Sequence, residues 1–66
     1  MNIELNGTST SVEDGTTLAA LIEQVAGSTR GSAAAVDGEV IPRSAWPTFE
    51  LSPGQSVELI TAVQGG

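Results

Sequence analysis

The sequence predicts an α+β domain in which one main helix covers one mixed sheet of four to five strands. Three observations predict it. Apolar and polar residues alternate near both ends of the chain, a single amphipathic helical stripe lies between them, and Asn-Gly and Asp-Gly pairs mark tight turns. Sixty-six residues bound this to one domain, residues 1–66. A chain this short buries only about 60% of the surface that its unfolded form exposes. It contains no cysteine, so disulfides and thiolate metal sites are excluded.

Ile3 and Leu5 alternate with Glu4 and Asn6, the pattern of a strand with one buried face. Asn6-Gly7 then turns the chain into a second strand, Thr8 to Val12, which is rich in Ser and Thr and therefore exposed, with Val12 turned inward. Glu13-Asp14-Gly15 reads as a solvated turn whose charges favour a following helix N-terminus. Leu18, Leu21, Ile22 and Val25 recur at helical spacing and form one apolar stripe, with Glu23 and Gln24 facing solvent. Thr16 or Thr17 caps the start of this helix, Gly27 stops it near Ala26 in a left-handed conformation, and Ser28 to Ser32 is a loop. Ala33 to Val36 and Glu39 to Ile41 flank Asp37-Gly38 as a short hairpin, which Pro42 ends by removing an amide donor. Arg43 to Trp46 forms a helical turn ahead of Pro47, with Trp46 as a core plug, and Thr48 to Leu51 forms a short strand. Pro53-Gly54 fits the centre of a type II turn that leads into a last strand, Val57 to Val63. Two apolar strands joined by a long crossover that contains a helix suit a parallel pair at the sheet centre, the arrangement of a β-grasp, or ubiquitin-like, fold.

The composition narrows function by what it lacks. Without His, Cys, Lys or Tyr, most general bases, covalent nucleophiles and metal ligands are missing, so no catalytic residue and no metal site is expected, and the chain reads as no enzyme on its own. A P-loop is excluded because its lysine is absent. Eight carboxylates face only Arg30 and Arg43, and the net charge of −6 disfavours nucleic acid and anionic membranes while permitting steering toward a basic partner. No apolar run approaches the roughly 20 residues that span a bilayer, and Met1-Asn2-Ile3-Glu4 has no signal-peptide character, so a cytoplasmic location is expected.

The chemistry left to the chain lies in its C-terminal residues. Val57, Leu59, Thr61 and Val63 share the buried parity of the last strand, whereas Glu58, Ile60 and Ala62 share the wet one. Ile60 and Ala62 thus form an apolar patch facing solvent, and with Val63 they are the candidate partner-binding residues. Gln64-Gly65-Gly66 is a flexible tail, residues 64–66, that reaches about 10 Å when extended and can thread a slot too narrow for side chains. The terminal carboxylate of Gly66, with a pKa near 3.5, is ionised and a poor electrophile until ATP converts it to an acyl-adenylate. That ATP chemistry must belong to a partner, since this chain has no cofactor site of its own. Lacking Lys and Cys, it also has no side chain that would capture the activated end in cis.

Val36-Asp37-Gly38-Glu39-Val40-Ile41-Pro42-Arg43-Ser44-Ala45-Trp46, then Leu51 and Gly54, then Val57-Glu58-Leu59-Ile60-Thr61-Ala62-Val63-Gln64-Gly65-Gly66, resemble the ThiS family of thiamine-pathway sulfur carriers. Asn2-Ile3-Glu4-Leu5-Asn6-Gly7 and Gly15-Thr16-Thr17-Leu18 fit the same family, so the resemblance covers essentially the whole chain. It implies a β-grasp fold, adenylation of Gly66 by a ThiF-like adenylating enzyme, and a thiocarboxylate on Gly66 whose sulfur comes ultimately from cysteine through a donor system. It further implies delivery of that sulfur to a ThiG-like thiazole synthase. Gln55, where the family often has an acidic residue, and Pro47 after the Trp depart from the family pattern in loops. Related readings are the small subunit of molybdopterin synthase, which uses the same thiocarboxylate but is longer, and a ubiquitin-like modifier that passes its carboxyl group to a lysine. A plain interaction module would make no use of a free terminus.

Overall fold

The computed structural model describes residues 1–27 and 31–61. Along these residues run β1 (Asn2–Leu5), β2 (Thr8–Ser11), α1 (Leu18–Ala26), β3 (Ser32–Val36), β4 (Glu39–Val40), a 3₁₀ helix (Arg43–Thr48) and β5 (Ser56–Thr61). Both hairpins turn on the same chemistry. Asn6 and Gly7 have φ of 50° and 84°, and Asp37 and Gly38 have 51° and 84°. Positive φ at both central positions is the type I′ geometry, whose twist matches that of the flanking strands.

Thr17 caps α1: its hydroxyl accepts from the Ala20 amide at 3.2 Å. Gly27, at φ 77°, closes the other end by donating its amide to the Glu23 carbonyl at 2.8 Å. Leu18, Leu21 and Ile22 are buried as their spacing predicts, but Val25 is 51% exposed. Spacing reports the angle of a side chain around the helix axis and not its position along it. Val25 has the right angle in the last turn, at the rim of the core.

The sheet order is β2-β1-β5-β3-β4. β1 and β5 run parallel, while β1 with β2, β3 with β5 and β3 with β4 are antiparallel. The inner face contributes Ile3, Ala34, Val36, Val57 and Leu59 to the core, and α1 and the connecting segments close over them with Leu18, Leu21, Ile22, Ile41, Trp46 and Leu51. This is the α+β, β-grasp arrangement, with five strands. Val12 lies just past β2, donates its amide to the Met1 carbonyl at 2.8 Å and packs against the core.

Several boundaries differ from those expected. Thr48 to Leu51 is not a strand: Leu18 donates to the Phe49 carbonyl at 2.8 Å and Leu51 to the Thr16 carbonyl at 2.9 Å, leaving one bridge between Thr17 and Glu50. Its partner becomes helical at Leu18, so the ladder cannot lengthen. The helical turn does not stop at Trp46 but passes through Pro47 to Thr48, with Phe49 donating to the Trp46 carbonyl at 3.3 Å. β4 ends at Val40, although Ile41 still donates to the Ala34 carbonyl at 3.0 Å and is buried. Ser28 to Arg30 of the expected loop lie outside the described residues, and Ser32 already belongs to β3. Trp46 is the expected plug, 2% exposed, with its indole N–H donated to the Ile41 carbonyl at 2.8 Å.

Candidate functional site

β5 carries the chain toward Gly66 and lies in the middle of the sheet, between β1 and β3 over its first part and beside β3 alone at Ile60 and Thr61. Its alternation is resolved through Ile60: Val57 and Leu59 are 0% and 8% exposed, whereas Glu58 is exposed and Ile60 is 68% exposed. Ile60 therefore stands on the outer face, where the sequence places it. Ala62, Val63, Gln64, Gly65 and Gly66 lie outside the described residues, as does the buried parity expected of Val63.

The register shows what surrounds Ile60. Ala33 of β3 is its direct partner, and in the neighbouring row Glu58, Ala35 and Val40 follow one another across β5, β3 and β4. Ala33, Ala35, Val40, Glu58 and Ile60 line a depression of about 60 Å³. It is shallow and apolar for a simple reason: two short alanine side chains lie between the larger Val40 and Ile60, and none of the described residues covers Val40, which is 73% exposed. The sequence reading missed Val40 and Ala33 as members of this patch. The signal was present, because Val40 alternates with the buried Ile41 and must face the other way.

Two carboxylates share the outer face with this patch. Glu58 borders it, and Glu4, exposed on β1, pairs across β5 with Ser56, on the same parity as Glu58. Arg43 lies elsewhere, its guanidinium 6.0 Å from the Trp46 ring centre, beside a larger hollow of about 440 Å³ lined by Ala19, Glu23, Ser44 and Pro47. The described part of the sheet face therefore offers an apolar knob-and-hollow surface rimmed by carboxylate, complementary to an apolar partner surface with basic neighbours. No described helix is long and apolar enough to cross a membrane.

Comparison with known proteins places the chain in a family. The model of the ThiS family matches residues 2–66, from the first strand through the terminal Gly-Gly. The chain belongs to the ThiS family. It is thereby a member of a family of small sulfur carriers associated with thiamine biosynthesis. The crystal structure of the thiamine biosynthesis protein ThiS from Geobacter metallireducens is similar at a TM-score of 0.81 and 23% identity, with 100% of each chain covered. The solution structure of a thiamine biosynthesis protein from the same organism gives the same score and identity, covering 100% of this chain and 88% of the other. At that identity the likeness establishes the ThiS-type fold. No curated protein matches this chain.

Proposed function

We propose that this ThiS-family chain carries sulfur as a thiocarboxylate on Gly66, and that the outer sheet face around Ile60 docks the enzymes that load and unload it. The observation that carries this reading is the extent of the family match, which runs to the terminal glycine rather than stopping at the folded core. The fold supports it, since the strand leading to that glycine is clamped between β1 and β3.

In the first step a Gly66 carboxylate oxygen attacks the α-phosphorus of ATP on a ThiF-like partner, an O–P bond forms and pyrophosphate leaves. In the second a sulfide-level donor attacks the acyl carbon, the C–O bond to AMP breaks, and AMP departs to leave the thiocarboxylate. A ThiG-like thiazole synthase then receives the sulfur. Such two-stage activation replaces one difficult substitution at an ionised carboxylate by two easier ones. The Gly65-Gly66 end keeps side chains out of the partner's slot.

Intact-mass measurement on the protein incubated with ATP, the adenylating enzyme and a sulfide-level donor tests the reading. The expected product has one oxygen exchanged for sulfur at Gly66 and reacts with a thiol-selective alkylating reagent, whereas the unloaded chain, having no cysteine, is unlabelled. Deletion of Gly66 or Gly65→Val abolishes loading with almost no change in melting temperature. An amide link to a lysine of a target protein would establish a modifier instead, and a truncated chain that still accepts sulfur would refute the assignment to Gly66.

A further inference from the structure

β5 is held to β1 at alternate residues. The Glu4 amide donates to the Gln55 carbonyl and the Asn6 amide to the Val57 carbonyl, both at 2.9 Å. The next rung of this progression belongs to Leu59, yet at Asn6 the backbone leaves the strand, at φ 50°, for the type I′ turn. The Asn6 side chain supplies the missing rung. Leu59 donates its amide to Asn6 Oδ1 at 2.8 Å, and Asn6 Nδ2 donates to the Leu59 carbonyl at 3.3 Å. A primary amide thus offers Leu59 the acceptor and donor that a peptide group would have offered, across 53 positions of sequence. Beyond Leu59, the described pairing of β5 is with β3 alone, Ala33 with Ile60 and Ser32 with Thr61.

We propose that Asn6 is a positioning residue for the carrier's terminus. Its two-bond clasp fixes at Leu59 the point where the C-terminal segment loses its β1 neighbour, and so sets the reach and heading of Gly66, seven positions further on. This rests on the carrier reading of Gly66. Seven residues span at most about 23–25 Å when extended. A tethered end presents itself to a fixed slot most effectively when its length matches the span, and slack at the root of the tether lowers that effective concentration. An open clasp leaves the end of β5 held by β3 alone and so adds slack at that root, without touching Ile60, Ala33 or Val40.

Asn6→Gly separates this role from the turn, because glycine adopts positive φ readily and keeps the hairpin while removing the clasp. Asn6→Asp retains the oxygen that accepts from Leu59 and loses the donor to its carbonyl. In Asn6→Gly, amide hydrogen exchange at Leu59 accelerates by about tenfold or more, equivalent to about 1.4 kcal/mol, while Ala34 and Val57 stay close to wild type. The kcat of sulfur loading by the adenylating partner falls about fivefold and KM for the carrier stays within about twofold, as the tether argument requires. Asn6→Asp lies between on both measures. Wild-type kcat in Asn6→Gly despite faster Leu59 exchange would make the clasp merely structural and overturn the proposal, as would unchanged Leu59 exchange. A wild-type protein that takes up no sulfur would overturn the carrier reading and the positioning role together. That failure is recognisable as such, because the exchange measurement reports the clasp without any loading.

Discussion

Leu59 and Ile60 are neighbours on β5 with opposite surroundings, the first 8% exposed and the second 68%. Leu59→Ala therefore removes packed methyl groups and costs about 2 to 5 kcal/mol, visible as a lower urea midpoint. Ile60→Asp leaves that midpoint nearly unchanged and weakens binding to the adenylating enzyme, measured by calorimetry, by more than about tenfold, or about 1.4 kcal/mol. Loss of folding in Ile60→Asp would contradict the outward orientation. Both side chains were legible in the sequence, because period-2 alternation in a central strand assigns faces directly. Asn6 was legible only in part. Its turn geometry follows from the Asn-Gly pair, but its bonds to Leu59 depend on which strands become neighbours, and no local pattern carries that information.

Elements were most legible where one residue type meets a specific backbone demand. Asn6-Gly7 and Asp37-Gly38 supply positive φ, and Thr17 supplies a hydroxyl for an unpaired amide. They were least legible where the partner decides. Thr48 to Leu51 has the composition of a short strand but meets the start of α1, and the alanines of β3, poor strand formers, are held in place by β5 and β4 on either side. The cap and the rim of α1 make a paired prediction. Thr17→Ala lowers stability by about 1 kcal/mol in thermal or urea unfolding, since the Ala20 amide loses its acceptor. Val25→Lys shifts stability by no more than about 0.5 kcal/mol, being an exposed change in the last helical turn, where a cation is favourable. A large loss from Val25→Lys would show that this turn is buried in solution.

At the scale of the molecule the parallel neighbourhood of β1 and β5 was inferable from two apolar strands around a long crossover, and the topology agrees. The face proposed for docking was inferable only through Ile60, because Val40 and Ala33 join it through the β3 register. With a net charge of −6 and a carboxylate beside that face, the proposed docking to a basic partner predicts an electrostatic component in association. Raising salt from about 0.05 to about 0.5 M slows association about tenfold in stopped-flow mixing and leaves dissociation nearly unchanged. An association rate insensitive to salt would assign the acidic balance to solubility alone. The central position of β5 has a mechanical consequence. A partner that draws the C-terminal segment into a slot pulls along the strand axis, roughly across the direction of the hydrogen bonds to β1 and β3. Such a load is shear: the rungs on both edges, the Asn6 amide among them, resist together, whereas an edge strand could be peeled away one bond at a time. The fold can therefore bear traction at its terminus while the core beneath stays closed.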